Sequence, residues 1–231
     1  MTRRPENTLL ALENALRLGA NAIEFDLQLN LDNDFIVIHD DTLLRTAGVR
    51  KSVLSNHTSD LQSISVHQPD RYRKTFFPQT IPLLHDVLKL LDKYPQAKAF
   101  VEIKEESLTH WGIETVMQQL LTELAPYDRQ CILISFSFAA IAYARAQNIL
   151  PCGWVIKKYQ KPYQLQAERL QPQYLICNYH KLPTRGKLWQ GTWQWLLYDI
   201  KQTKKAQRLA QRGVSHFETG DIETILNGTS T

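Results

Sequence analysis

The sequence predicts an α/β barrel, because short apolar segments with strand composition alternate with amphipathic helical segments along the chain. Seven strands are predicted, near residues 23, 100, 132, 154, 175, 197 and 215. Charged and polar side chains lie at or just past the carboxyl ends of these strands, where parallel barrels place their active sites. No glycine-rich phosphate loop follows a strand, which disfavours a doubly wound sheet. We therefore expect a (β/α)8 TIM barrel that lacks one of its eight strands.

The length and composition are those of one globular unit. A chain of 231 residues with 43% apolar content can bury a sizeable core, so we expect a single domain over residues 1–231. No apolar run is long enough to span a membrane, and no basic and apolar leader opens the chain. Cys131, Cys152 and Cys177 lie far apart in apolar runs, which predicts buried reduced thiols and a cytoplasmic protein without membrane insertion.

The charge is mildly basic, with a formal net charge of +4 and a pI near 8.9. Such a field attracts an anionic small molecule. Lys201, Lys204, Lys205, Arg208 and Arg212 follow one another in a predicted helix. We interpret this basic face as solvated, with nucleic-acid binding as the weaker alternative, and expect no nucleic-acid partner. The sequence carries no signal for an oligomeric state.

The first helix is predicted between Pro5 and Gly19, where leucines recur at helical spacing. Residues 47–80 contain three glycine and proline breaks and no sustained period, so we expect a long and functional loop. The remaining elements follow in order: a helix through residue 91, a strand at 99–103, a helix at 107–124, a strand at 131–135, a helix at 138–147, strands at 153–156, 174–177 and 195–200, a helix at 203–212 and a strand at 214–217.

The stretch from residue 22 to 41 holds most of the predicted chemistry. Two strands, at 22–29 and 35–38, flank the turn-forming residues 31–34 and form a predicted antiparallel hairpin. Side chains alternate along a strand, so Glu24 and Asp26 point the same way, and the hairpin brings His39 back towards Asp26. Two carboxylates beside an imidazole indicate a divalent-metal site next to an acid or base. The alternative for the carboxylates alone is the solvated face of a half-buried sheet.

Six short motifs in order make the chain similar to a known family. They are Pro5-Glu6-Asn7-Thr8, Glu24-Phe25-Asp26-Leu27, His39-Asp40-Asp41-Thr42-Leu43, Ile81-Pro82-Leu83-Leu84, Glu102-Ile103-Lys104 and Ser135-Phe136. Together they resemble the glycerophosphodiester phosphodiesterase family over residues 5–221, most specifically in the N-terminal half. The resemblance implies a (β/α)8 barrel that hydrolyses a glycerophosphodiester, its small-molecule substrate, to glycerol 3-phosphate and an alcohol.

The resemblance also implies residue roles. Glu24, Asp26 and Glu102 would bind Mg²⁺ or Ca²⁺, and an oxygen-only ligand set suits such hard cations. His39 would be one of two catalytic histidines, and Lys104 would act beside the phosphate.

The residues that line the substrate pocket are predicted less firmly than the type of reaction. Lys104, Glu6, Trp195 and Tyr198 are assigned to substrate binding, with buried packing as the alternative for Trp195. The family usually carries other residues at positions 198–200 and 218–221, so the reaction type is predicted more firmly than the substrate.

One departure from the family pattern concerns a second histidine. Members carry a strand ending in His-Arg-Gly a few residues before the Pro-Glu-Asn-Thr motif, and here only residues 1–4 precede Pro5. We therefore expect the first strand and one catalytic histidine to be missing, and activity to be impaired. A start codon assigned too far downstream is the favoured explanation, and a non-catalytic relative that binds a phosphodiester or phosphate is the alternative.

Other residues that could replace the missing histidine, and a related class of enzyme, are less favoured. Arg3 or Arg4 could supply positive charge, but neither can act as a base. His57, His67 and His85 lie in or near the long loop, where histidines are usually solvated. A phospholipase-D-like enzyme of lysolipids shares the fold and metal site, but that class is largely secreted and disulfide-bonded.

Overall fold

The computed structural model describes residues 3–228 and shows one curled sheet of eight strands surrounded by helices. The strands are β1 (Ala22–Leu29), β2 (Phe35–Val37), β3 (Lys98–Ile103), β4 (Cys131–Ser135), β5 (Cys152–Val155), β6 (Tyr174–Asn178), β7 (Gln194–Tyr198) and β8 (Val214–Phe217). The helices are α1 (Leu9–Arg17), α2 (Leu44–Ala47), α3 (Thr58–Gln62), α4 (Pro69–Tyr72), α5 (Leu84–Asp92), α6 (Glu105–Trp111), α7 (Ile113–Leu124), α8 (Phe138–Gln147), α9 (Lys161–Leu170), α10 (Thr203–Ala210) and α11 (Ile222–Asn227).

The sheet order is β2-β1-β3-β4-β5-β6-β7-β8, and every neighbouring pair except β1–β2 is parallel. The seven predicted strands and the hairpin arm are therefore confirmed. In the hairpin, Leu27 lies opposite Val37, and in the β1–β3 pair Asp26 lies opposite Glu102. Within residues 3–228, β1 and β8 end the parallel array without pairing to each other.

The core is divided by the sheet into two layers, because strands covered on both faces bury alternate side chains on each side. Phe25, Leu133 and Leu197 belong to the large cluster between the sheet and the helices. Phe100 and Ile134 belong to a smaller cluster on the inner, concave side. The inner cluster forms the floor beneath the polar side chains at the strand ends. No helix within the described range combines the length and apolarity needed to cross a bilayer.

Helix α1 places the residues that precede it at the mouth of the sheet. The Thr8 hydroxyl caps the helix by accepting a hydrogen bond of 3.2 Å from the Ala11 backbone N–H. The same hydroxyl donates to the Pro5 carbonyl at 2.8 Å, which fixes the entering chain. Gly19 ends this region with a left-handed φ of +100°. The predicted helix between Pro5 and Gly19 is thus confirmed.

The prediction of a loop over residues 47–80 is confirmed for most of the segment but missed two short helices. This segment contains α3 and α4, and α2 ends at its start. Buried Val53, Leu61 and Val66 pack with Ile36 and Ile38 of the hairpin in a third apolar cluster. The segment was hard to predict because its apolar residues are spaced irregularly and its helices are four or five residues long.

Several helices after residue 80 also differ from the sequence prediction. The helix predicted at 107–124 is two helices, because Gly112 adopts a left-handed φ of +88° between α6 and α7. Helices α9 and α11 were not predicted. Helix α9 is polar, with only Ala167 and Leu170 buried, so it lacks a strong amphipathic pattern.

Leu133→Ala tests whether the packing between sheet and helices holds the fold together. Leu133 lies in the central strand β4 and is fully buried, so truncation should lower the free energy of unfolding by about 2–5 kcal/mol. Urea denaturation followed by circular dichroism measures the loss. The control is Leu165→Ala in α9, whose side chain is exposed, and it should change stability by less than about 0.5 kcal/mol. Equal effects in the two variants would contradict this assignment of the core.

Candidate active site

Three carboxylates meet where β1 and β3 run side by side. Glu24 and Asp26 share one face of β1, and the parallel register brings Glu102 of β3 opposite Asp26. One ligand oxygen from each residue lies within 4.8 Å of the others. Asp26 and Glu102 are buried, so these oxygens converge in a low-dielectric setting. This geometry suits a divalent cation held by carboxylate oxygens.

Lys104 supplies a positive charge next to this carboxylate cluster. Its Nζ atom lies 2.7 Å from Glu102 Oε1 and 3.2 Å from Asp26 Oδ1, and its side chain is buried. Burial alone would lower the pKa of Lys104, but the charges of Asp26 and Glu102 raise it above its ordinary value. The ammonium group therefore stays protonated and is held in place from two sides.

One ammonium does not neutralise the cluster. Burial, followed by the charge of Asp26, raises the pKa of Glu24 well above its ordinary value and that of Glu102 to about 6. The same causes raise the pKa of Glu218, just past the end of β8, to about 8. When carboxyl groups have raised pKa values because they are buried beside one another, a bound cation would stabilise their ionised forms. The residues present thus fit a divalent metal, with Glu24, Asp26 and Glu102 as its ligands.

Asn7 orients Asp26 and was not identified from the sequence. Its amide Nδ2 donates to Asp26 Oδ2 at 2.8 Å, and its Oδ1 accepts from the Asp26 backbone N–H at 3.2 Å. Asn7 is buried and adopts a left-handed φ of 52°, a conformation that asparagine tolerates better than most residues. The sequence signal that could have identified Asn7 is its position next to Glu6 in the Pro-Glu-Asn-Thr motif.

His39 lies one residue beyond Ile38, where the hairpin ends, and lines the same cavity as the carboxylates. Its Nδ1 atom is 2.7 Å from Asp40 Oδ1. Arg45 in turn donates to both oxygens of Asp40, at 2.8 and 3.0 Å. The imidazole is therefore held by its Nδ1 side, and Nε2 is the nitrogen left for the cavity.

The cavity has a volume of about 770 Å³, and its lining includes side chains on the inner face of the sheet and polar side chains at the carboxyl ends of the strands. Of the residues predicted for substrate binding, Glu6, Lys104 and Tyr198 line it. The carboxylate of Glu6 is bound there by Arg45, at 2.7 and 2.6 Å, and by Gln68, at 2.9 Å.

Trp195 is not brought to this cavity. It belongs to the cluster on the other side of the sheet, and its indole Nε1 donates to the Trp189 carbonyl at 3.0 Å. Packing, the alternative considered for Trp195, is what the structure shows. On a strand buried on both faces, sequence pattern alone does not tell which face a tryptophan occupies.

Comparisons with known proteins agree with this geometry. A profile of the glycerophosphoryl diester phosphodiesterase family matches residues 1–216. The chain belongs to this family. A glycerophosphodiester phosphodiesterase from Caldanaerobacter subterraneus subsp. tengcongensis is 25% identical, covering 96% of this chain and 91% of the relative. One from Bacillus altitudinis is 33% identical over 60% of this chain and 55% of its own length.

Solved structures of the family share the fold of this chain. A phosphodiesterase from Oleispira antarctica, in complex with the product sn-glycerol-3-phosphate, superposes with a TM-score of 0.83 at 19% identity, covering 99% of this chain and 93% of that one. A putative glycerophosphoryl diester phosphodiesterase from Silicibacter pomeroyi gives 0.81 at 18% identity, with coverage of 98% and 90%. The curled sheet therefore matches the sheet of the TIM-barrel structures of this family.

The loop histidines of this family member lie away from the cavity lining. His57 pairs with Asp32 at 2.6 Å near the tip of the hairpin, and His85 pairs with its neighbour Asp86. His67 contacts the ring of Phe77. A further histidine, His216 of β8, lines the inner part of the cavity, and burial lowers its pKa.

The cationic side chains of the N-terminal segment reach the same cavity. Arg3 and Arg4 both line it. Arg3 forms ion pairs with Glu223 and, at 3.4 Å, with Asp221, which joins the start of the described chain to the region of α11. The sequence had offered these two arginines only as a possible source of charge.

Glu218→Gln tests the crowding of carboxylates in metal-free protein. The folded protein binds the Glu218 proton more tightly than the unfolded chain does, so this group lowers stability as pH rises from about 4.5 to about 8. The variant should equal the wild type below pH 4.5 and become more stable than it towards pH 8, as measured by urea denaturation in EDTA. Exposed Glu114→Gln serves as the control and should track the wild type at every pH. A stability difference that is constant with pH would contradict the assignment.

Proposed function

We propose that this chain hydrolyses glycerophosphodiesters to glycerol 3-phosphate and an alcohol, with a divalent cation as cofactor. The observation that carries the proposal is the convergence of Glu24, Asp26 and Glu102 with Lys104 and His39 on one cavity. The family membership supports the reaction class. The product bound by the Oleispira antarctica relative supports glycerol 3-phosphate as the released phosphate monoester.

The carboxylates would hold Mg²⁺ or Ca²⁺ through oxygen atoms, the ligands that hard cations prefer. When bound, the cation supplies positive charge that attracts the phosphate oxygens of the substrate. Asn7 keeps Asp26 in place by hydrogen bonds to both its side chain and its backbone.

Lys104 would stabilise the charge that develops on the phosphoryl oxygens. Its ammonium is buried, protonated and fixed by two carboxylates before substrate arrives. A preorganised charge of this kind favours the transition state, where negative charge on the oxygens is greatest, over the ground state. Tyr198 lines the cavity beside these groups and would contact the substrate.

His39 would move a proton at Nε2. Asp40 lies against Nδ1, so Nε2 would be the nitrogen that accepts a proton from the attacking oxygen or returns one to the departing alkoxide. Hydrolysis needs both transfers. The second candidate function, binding of a phosphodiester without cleavage, is favoured by the fact that His39 supplies only one proton-transfer group.

We further propose a cytoplasmic protein built on a barrel with seven parallel strands. The thiols of Cys131, Cys152 and Cys177 are free and buried, and burial raises the pKa of each to about 12. Such thiols are unreactive and compatible with a reducing compartment.

Asp26→Asn tests the metal site. Replacing a ligand carboxylate by a neutral amide should weaken Mg²⁺ and Ca²⁺ binding by at least about 10-fold, since carboxylate charge drives the affinity for hard cations. Isothermal titration calorimetry with each ion measures the change. Asp32→Asn, which removes a carboxylate near the hairpin tip, is the matched control and should bind metal like the wild type. Unchanged affinity in Asp26→Asn would remove the triad as the proposed site.

His39→Ala tests proton transfer. Turnover should fall by about 10²- to 10⁴-fold while metal affinity stays near that of the wild type, because the imidazole acts on protons and is not a proposed ligand. Release of glycerol 3-phosphate from a panel of glycerophosphodiesters measures turnover. His57→Ala removes another aspartate-paired histidine, outside the cavity lining, and should leave turnover unchanged.

The same assay separates the two candidate functions. Metal-dependent release by the wild-type chain supports hydrolysis. Calorimetric binding of a glycerophosphodiester with no release by wild type supports the binding protein and refutes the enzyme.

A further inference from the structure

Arg45 is the centre of a hydrogen-bond network that no proposed catalytic step uses directly. It follows Leu44 in the short helix α2 and reaches two carboxylates at once. Nη1 and Nη2 donate to the two oxygens of Glu6 at 2.7 and 2.6 Å. Nε and Nη2 donate to the two oxygens of Asp40 at 2.8 and 3.0 Å. Two paired contacts of this kind need the planar fork of a guanidinium group.

The Asp40 branch of this network controls the histidine. Burial alone would raise the pKa of Asp40, but the hydrogen bond and charge of Arg45 keep it below its ordinary value. Asp40 is thus an ionised carboxylate that can only accept hydrogen bonds. Its contact with His39 Nδ1 at 2.7 Å therefore requires the proton on Nδ1, and in the neutral imidazole this leaves the lone pair on Nε2.

The Glu6 branch anchors Arg45 from the other side. Gln68 donates to the same carboxylate at 2.9 Å, and its backbone N–H donates to the Thr46 carbonyl, next to Arg45, at 2.8 Å. Gln68 is buried, so this anchor is built into the long segment that follows α2. The guanidinium is consequently restrained at both ends, which restrains Asp40 as well.

We propose that Arg45 is a positioning residue that fixes the tautomer and orientation of His39 through Asp40, while Glu6 and Gln68 fix Arg45. This inference rests on the proposed function through the role of His39. It reassigns Glu6 from substrate contact to support of the catalytic histidine. Lysine at position 45 would retain the charge but not the two paired contacts, so the geometry and not the charge alone is what the site requires.

The test compares Arg45→Lys, Arg45→Met and the control Arg50→Lys, an exposed arginine five residues further on. The first readout is the long-range ¹H–¹⁵N spectrum of the imidazoles in metal-free full-length protein. The His39 signals are assigned because they are absent from the spectrum of His39→Gln. Wild type and Arg50→Lys should show His39 protonated on Nδ1. Arg45→Lys and Arg45→Met should show averaged shifts from both tautomers.

The second readout is the kinetics of glycerol 3-phosphate release with metal present. Both Arg45 variants should lower kcat by on the order of 10-fold with little change in KM, as is usual when the partner that orients a functional histidine is lost. Should Arg45→Met fail to fold, Arg45→Lys decides alone.

Two results would overturn the proposal: a wild-type His39 tautomer in Arg45→Lys, or a changed tautomer with unchanged kcat. If wild type releases no product, the enzyme proposal fails, and the spectra still decide whether Arg45 sets the tautomer.

Discussion

The whole site depends on the burial of several carboxylates around one ammonium group. Asp26 and Glu102 lie side by side because their strands pair in parallel with that register, and Lys104 follows two residues after Glu102 on the same face. The protein holds these like charges together by packing the inner apolar cluster beneath them and the helices outside. The unfavourable repulsion that remains would favour the binding of a cation by this cluster. The same repulsion lowers the stability of the metal-free protein, so stability and the proposed function would oppose each other at this point of the fold.

The parts of the fold that the sequence predicted well are those in which local pattern and tertiary environment agree. Strand β1 and its return arm could be bounded from composition and the turn residues between them, and the same alternation placed Glu24 and Asp26 on one face. The remaining site residues depend on contacts distant in sequence. Asn7 meets Asp26 across 19 residues, Gln68 meets Glu6 across 62, and nothing in their local pattern reveals these pairs. Trp195 illustrates the same limit, since a strand buried on both faces gives no sign of which side its indole takes.

The segment that the sequence described as a loop has a structural role beside the site. Its buried residues extend the core beneath the hairpin, and its turn at Gln68 reaches back to the N-terminal motif. A long segment without helical or strand period can thus be well ordered when scattered apolar residues find a common cluster. Its order matters because Asp40 and Arg45, which follow the hairpin directly, are anchored by it.

Asn7 and Glu6 are neighbours in the chain but serve different halves of the site. Asn7 donates a hydrogen bond to Asp26 of the carboxylate cluster, whereas Glu6 binds Arg45 and, through it, Asp40 and His39. The peptide between Glu6 and Asn7 therefore links the carboxylate cluster to the hydrogen-bond network of His39. The left-handed φ of Asn7 lies at this link, so this backbone torsion affects the placement of Glu6 relative to Asn7. Substitutions that relax this torsion would misalign the two halves relative to each other, even where each half kept its own internal geometry.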